Sequence, residues 1–395
     1  MTTIDIEAAT ALLGGLSPAQ FMRRHWQKKP LLVRQALPMQ RSFVGRAALF
    51  ALAARDDVEA RLVEQQGRGW KLAHGPFARR ALPPLTRPRW SLLVQGLDLH
   101  LDSARALLDR FRFVPDARLD DVMVSYASDQ GGVGPHLDSY DVFLLQIHGR
   151  RRWRIGRVAG PVLQAGVPLK ILTNFEAEHD WLLEPGDMLY LPPRWAHDGV
   201  ADGECMTCSI GFRAPAREPL AHELLQRALD ADETEDAQLA DHRQPALYQD
   251  RRQPATPTPA QIPAALQDFG AAALQRWLSE RLDAGAALGE VLSEPKPGVW
   301  FDGGAELRDG EGVRLDRRTR MLYDLRHVFI NGESYRAGGR DARHMHELAD
   351  RRRLDAAAVR GLSAEARELL AQWAQAGWLH AAALEVDDRN RKDRR

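Results

Sequence analysis

Residues 131–146 read Gly-Gly-Val-Gly-Pro-His-Leu-Asp-Ser-Tyr-Asp-Val-Phe-Leu-Leu-Gln. The glycines and the proline rule out a helix at the start, and Val-Phe-Leu-Leu at the end reads as a strand. Between them stand His136 and Asp138, two residues apart. Positions i and i+2 of a strand project to one face, so an imidazole and a carboxylate converge on one point. A chain with this stretch is committed to a sheet whose edge carries metal-ligand chemistry. One more imidazole would complete a 2-His-1-carboxylate set, which holds Fe(II) on one face and leaves three positions open.

The third ligand is found at His197. It follows Glu184-Pro185-Gly186-Asp187-Met188-Leu189-Tyr190-Leu191-Pro192-Pro193-Arg194-Trp195-Ala196, a turn, an apolar strand and a Pro-Pro stop. This order delivers a His at the mouth of a barrel. Together the two stretches resemble the metal motifs of the cupin, or double-stranded β-helix, superfamily: H-x-D first, then G-x5-P-x4-H. Where that superfamily usually has a glycine two residues after the motif proline, this chain has Arg194.

The run Gly149-Arg150-Arg151-Arg152-Trp153-Arg154-Ile155 reads as a strand after a turn at His148-Gly149. Trp153 and Ile155 mark its inward face, and Arg151 shares their parity. An inward guanidinium is costly unless paired. A 2-oxoglutarate cosubstrate would pair it, chelating iron with its 2-oxo acid end and giving Arg151 its far carboxylate. Ser125, on the alternating strand 121–126, is a second candidate contact to the cosubstrate, set against ordinary backbone satisfaction of a strand serine. An Arg fifteen residues after the first metal His also matches the basic residue of JmjC-type 2-oxoglutarate oxygenases. Phe21-Met22-Arg23-Arg24-His25-Trp26-Gln27-Lys28-Lys29-Pro30-Leu31-Leu32-Val33 closely resembles the opening of the bacterial JmjC ribosomal oxygenases. The likeness returns at 132–153 and at Gly211-Phe212-Arg213-Ala214-Pro215.

With 395 residues there is material for two or three domains. The expected class is α+β: a cupin/JmjC barrel over 1–215, a helical region over 216–294, and a small α+β module over 295–395. Helices are expected at 17–27 (Ser17 cap, Pro18 first, Gln20 closing a capping box), 43–64 and 98–112, and a strand at 70–72. After Pro215, Leu220, Leu224, Leu225, Ala228 and Leu229 form one apolar stripe, and 264–282 carries a second broad apolar face. An acidic segment (230–236) and a Pro/Thr-rich link (253–263) separate them. In the last module, strands are expected at 313–323 and 327–335 around a type I′ Asn331-Gly332 turn, with helices at 341–352, 354–360 and from Ser363 to a Gly377 stop. The resemblance implies that this module is winged-helix-like and that the two apolar helix faces make a homodimer.

Basic and acidic residues both number 54, which gives no hint of a nucleic-acid or membrane partner. Acidic residues interleave the C-terminal arginines, so nucleic acid is not expected there. Two cysteines in such a length fit a reducing compartment. Cys205 and Cys208 would face opposite sides of a strand and serve packing. No apolar run nears the ~20 residues of a membrane span, and a soluble, cytoplasmic protein is expected. The resemblance implies an arginine hydroxylase acting at the β-carbon of a residue in the sixteenth protein of the large ribosomal subunit. Asp129, Tyr140 and Asp141 flank the metal motif and are candidates to hold the substrate arginine. Rival readings are a small-molecule cupin dioxygenase or isomerase, a JmjC lysine demethylase, and a non-catalytic cupin sensor whose winged module binds DNA.

Overall fold

The computed structural model describes residues 4–38, 42–67, 69–239, 247–249, 251, 260–308 and 311–382, without the side chains of 231–239 and 281. Most of the Pro/Thr-rich link and the Arg-rich tail lie outside the described residues.

Helix α1 (Pro18–Arg24) starts as its sequence dictates. The Gln20 N–H donates to Ser17 Oγ at 3.2 Å, and the Ser17 N–H donates to Gln20 Oε1 at 3.1 Å. Its Phe21 is fully buried. After β1 (Leu31–Val33) the expected helix over 43–64 is present only as α2 (Arg46–Leu52), and residues from Ala60 form strand β2 (Ala60–Gln66). Leu62 enters the main core while Val63, its neighbour, is buried on the other face of the sheet. Apolar groups on both faces favour a strand between partners over an amphipathic helix. Those partners are β3 (Gly69–His74) and β4 (Trp90–Val94). The helix expected over 98–112 divides into α3 (Leu97–His100) and α4 (Asp102–Asp109), because Leu101 is extended.

Strands β5 (Leu119–Ala127), β6 (His136–Leu137), β7 (Val142–Arg157), β8 (His179–Leu183), β9 (Met188–Leu191) and β10 (Trp195–Phe212) complete the barrel. The antiparallel order is β1-β9-β7-β10-β5-β4-β2-β3, with β6 on β10 and β8 on β7. One face packs on the N-terminal helices through Phe21, Phe111, Phe143, Tyr190 and Phe212. The opposite, concave face holds Val142, Leu144, Trp153, Ile155, Leu183 and Leu189. Cys205 lies with Ala127 and Ala201 on the concave side and Cys208 in the main core, so the two free thiols do face opposite ways.

No turn interrupts β7 at His148-Gly149. Instead Gly149 adopts φ +59° in a bulge where the register with β10 shifts. The bulge reverses parity, so Val142 and Leu144 before it share the interior with Arg151, Trp153 and Ile155 after it. A Cβ at residue 149 would lie 2.1 Å from the Glu204 carbonyl oxygen, so glycine is required.

The helical region comprises α5 (Arg217–Leu239), α6 (Ala264–Arg281) and α7 (Ala284–Ser293). Leu225, Leu229, Leu266, Phe269 and Leu274 of α5 and α6 are exposed. Helix α7 packs on the last module: Gly289 abuts the Phe329 ring, and Ser293 Oγ accepts the Gly332 N–H at 3.1 Å. That module contains β11 (Val313–Leu315), β12 (Met321–Tyr323), β13 (His327–Ile330), β14 (Glu333–Arg336), α8 (Gly339–Arg351), β15 (Arg353–Leu354), α9 (Ala356–Arg360), α10 (Ala364–Gln375) and β16 (Leu379–Ala381). Asn331 and Gly332 both have positive φ, as a type I′ turn needs, and Gly377 at φ +75° follows α10. Lys296 ties the module to Asp120 (2.9 Å) and Asp121 (3.1 Å) of β5, and Arg112 donates to the Asp350 carbonyl at 2.6 Å.

Candidate active site

Two adjacent strands assemble the first cluster. His136 on β6 and His197 on β10 are paired in register, with ring centroids 4.2 Å apart. Asp138 completes the group, its oxygens 3.9 Å from His136 Nε2 and 3.6 Å from His197 Nε2. One ligand atom from each residue lies within 4.8 Å of the others, the spacing of a metal-ion site. The Nδ1 of His136 bonds the Gly134 carbonyl at 2.8 Å, and that of His197 bonds the Trp195 carbonyl at 3.0 Å. A carbonyl can only accept, so both rings carry a proton on Nδ1 and turn Nε2 toward Asp138. Burial, with His136 alongside, pulls the His197 imidazole down to about 4, keeping it neutral and ready to ligate at physiological pH. Two imidazoles and one carboxylate grouped in this way suit Fe(II).

The loop that carries the ligands is held from both ends. Gly134, at φ +77°, abuts Ile171 and the Trp70 ring so closely that a Cβ would lie 2.7 Å from the former. Arg194 takes φ +66° and donates its N–H to the Asp138 carbonyl at 2.9 Å. The left-handed turn that glycine usually makes after the motif proline is thus present, formed by arginine.

Arg151 stands on the same concave face, 3% exposed. Its Nη1 donates to Ser125 Oγ (3.0 Å) and Thr207 Oγ1 (3.3 Å), and its Nη2 to the Gly199 carbonyl (3.3 Å). The guanidinium lies 5.2 Å from the Trp153 ring centre. Among the described residues no carboxylate pairs with it, and its Nε has no partner at all. A buried cation in this state calls for an anion, and the far carboxylate of a 2-oxo dicarboxylic acid fits. Thr207 in turn donates to Gln146 Oε1 at 2.8 Å, and the Gln146 amide holds the His148 and Gly149 carbonyls of the bulge. Thr207, Gln146 and Gly199 were not apparent from the sequence, because only the register Ser125–Thr207–Gln146 across three strands brings them to Arg151.

The three residues expected to contact substrate are placed differently from one another. Tyr140 is exposed, and desolvation with the nearby Asp138 carboxylate raises its pKa. Asp129 is exposed, its carboxylate accepting the Gly203 N–H at 2.9 Å. Asp141 is fully buried and does not join the cluster. It shares the parity of Phe143, on the face away from the metal ligands, where it accepts from Tyr190 Oη (2.6 Å), Gln27 Nε2 (3.0 Å) and Arg118 (3.4 Å). Nearness in sequence to Asp138 did not carry it to the same face.

Comparison with known proteins agrees with this geometry. The JmjC domain family matches residues 106–220, and the ROXA-like winged helix family matches 276–380. The ribosomal protein uL16 3-hydroxylase of Escherichia coli K12 is 42% identical over 214 residues. That alignment takes in 53% of this chain and 57% of the relative, so it spans little more than half the relative's length. The crystal structure of the Escherichia coli ribosomal oxygenase YcfD superposes with a TM-score of 0.78 at 30% identity, covering 93% of this chain and 98% of that one. A structure of the same protein in complex with cobalt and 2-oxoglutarate gives 0.75 at 29%, covering 92% and 98%. With both family models matched and a solved structure 30% identical covered over 98% of its length, this protein belongs to the JmjC-domain ribosomal oxygenases.

Proposed function

We propose that the protein is an Fe(II)- and 2-oxoglutarate-dependent protein hydroxylase, with His136, Asp138 and His197 as metal ligands and Arg151 as the cosubstrate anchor. The observation that carries this reading is the buried, acid-free guanidinium of Arg151 on the face that also holds the His-Asp-His cluster. When bound, iron with 2-oxoglutarate supplies the oxidant: the cosubstrate and dioxygen yield succinate and carbon dioxide, and one oxygen atom enters a substrate C–H bond. The protein contributes placement. The two Nδ1–carbonyl bonds fix the ligand rings. Ser125, Thr207 and Gly199 aim the Arg151 fork, and Trp153 covers its face. Leu144, Ile155, Leu183 and Leu189 form a dry apolar cluster with Trp153 on the same face. C–H oxidation needs no side-chain acid or base, so Asp138 acts as a ligand only.

The substrate we propose is an arginine of the large-subunit ribosomal protein uL16, oxidised at its β-carbon; the support is likeness to a relative so named. Asp129 and Tyr140 stand as candidate contacts for its guanidinium. We further propose working units of 1–215, 216–294 and 295–395, with α7 of the middle unit buttressing the last. The exposed leucines and Phe269 of α5 and α6 support a homodimer. The winged-helix module is read as a protein-contact unit; its Arg351 is engaged by Glu347 at 2.6 Å. A cytoplasmic location accords with two free cysteines and with the lack of any described helix long and apolar enough to cross a membrane.

The test is succinate release from Fe(II)-loaded protein in air with 2-oxoglutarate. Release that is lost in His136→Ala and Asp138→Ala supports the reading. Protein that holds iron yet consumes no 2-oxoglutarate overturns it.

A further inference from the structure

Arg61 is a second guanidinium on the concave face, and among the described residues no carboxylate forms an ion pair with it. The register leaves no doubt of its direction: Arg61 of β2 lies opposite Leu93 of β4, Leu93 opposite Ser125 of β5, and Ser125 faces Arg151. Residues directly opposite on neighbouring strands share a face. The alternate residues Leu62, Leu92 and Val124 enter the main core on the other side. Two strand spacings put Arg61 roughly 10 Å from Ser125 along the sheet, on the side away from Arg151.

Strands β4, β2 and β3 continue the sheet past β5; on this face Ser91, Leu93 and Val63 are buried, while Arg61 and Trp70 are half-buried at its outer part. Trp70, on β3, packs its ring against Gly134, in the loop that leads to the metal ligands. Arg61 pairs with His74, four residues along β3 from Trp70. It is half-buried, its Nε is buried without a hydrogen-bond partner, and no ion pair involves it among the described residues. Asp121, of the same parity as Ser125 on β5, is already engaged by the Gly96 N–H (3.2 Å) and by Lys296 (3.1 Å).

We infer that Arg61 is a substrate-binding residue: its guanidinium donates to an oxygen acceptor on the polypeptide beside the residue being oxidised, holding the chain along the outer part of this face, beside Trp70. This rests on the protein-hydroxylase reading above. The cosubstrate cannot be the ligand, since it is a small dicarboxylate whose far end belongs to Arg151. The acceptor is a main-chain carbonyl or an acidic side chain of the substrate. Both offer the same oxygen chemistry to a guanidinium fork.

The experiment compares wild type with Arg61→Ala, Arg61→Lys and Arg61→Gln, using a uL16 fragment as substrate. Initial hydroxylation rates give KM and kcat. Calorimetry gives the fragment Kd on the anaerobic Mn(II)–2-oxoglutarate protein, with 2-oxoglutarate affinity and Tm as controls for folding. Removing a charge-assisted hydrogen bond should raise the fragment KM and Kd about tenfold or more in Arg61→Ala, while kcat stays within about threefold. Arg61→Lys should recover most of the loss. Recovery by Arg61→Gln identifies a carbonyl acceptor; its failure beside a successful Arg61→Lys identifies a carboxylate. Wild-type KM and Kd in Arg61→Ala, in protein that turns over, overturn the role of Arg61 and leave the functional reading intact. A wild type that neither binds nor oxidises the fragment overturns the substrate class, and this inference with it.

Discussion

Arg151 is buried as a cation and held only by hydroxyls and a carbonyl. Such a group costs the ligand-free fold stability that the cosubstrate restores. Arg151→Met keeps the side-chain volume and removes the charge. We expect the ligand-free Tm to stay level or to rise, by the equivalent of about 1 kcal/mol. We also expect 2-oxoglutarate to lose its stabilising effect on Tm, and a scan with and without it tests both parts. A ligand-free variant several degrees less stable than wild type would show that the guanidinium is satisfied by the protein alone. The position of Arg151 was legible in the sequence because strand parity is local: Trp153 and Ile155 mark the inward face and Arg151 shares it. Its neighbours Thr207 and Gln146 were not legible, since cross-strand register is a long-range property. Asp141 shows the opposite error. It stands three residues from a ligand, yet the same parity rule turns it to the other face, against Tyr190.

Strand β7 depends on one residue to reach the site. Before Gly149 its even-numbered residues point inward, and after it the odd-numbered ones do. Gly149→Ala combines a strained positive φ with a Cβ against the Glu204 carbonyl. It should cost about 2 kcal/mol or more and raise the 2-oxoglutarate KM by displacing Arg151. Unchanged Tm and KM would mean that the bulge is not required.

Asp98 gives α3 a distinct pH signature. Its carboxyl accepts the Val122 N–H at 2.8 Å, and burial pushes its pKa up to about 6. Unfolded, it would titrate near ~3.9. The fold thus favours the protonated acid. This contribution is fully present below about pH 4 and is lost as pH rises through about 6. Asp98→Asn should therefore gain stability relative to wild type between pH 4 and pH 7, by about 2 kcal/mol, read from Tm against pH. Parallel pH profiles for the two proteins would contradict it. Elements with a local signature, such as the Ser17 capping box and the Asn331-Gly332 turn, could be read from sequence. The segment over 43–64 could not, because whether its apolar residues serve one face or two is settled by the strands beside it.

The whole molecule joins a barrel to a winged-helix module through Lys296, Arg112 and α7, and leaves Leu225, Leu229 and Leu274 facing solvent in the single chain. A homodimer would cover them. Light scattering should then give twice the 44.3 kDa chain mass, and Leu229→Glu with Leu274→Glu should reduce it to one chain. A wild-type monomer at micromolar concentration would contradict this. The central claim concerns a reaction, and mass spectrometry of a uL16 fragment tests it most directly, after incubation with Fe(II), 2-oxoglutarate and the protein in air. The account predicts a gain of one oxygen atom on an arginine, absent with His136→Ala and, at limiting 2-oxoglutarate, reduced with Arg151→Ala. An unmodified fragment, from protein shown to hold iron and to bind both fragment and 2-oxoglutarate, would contradict it.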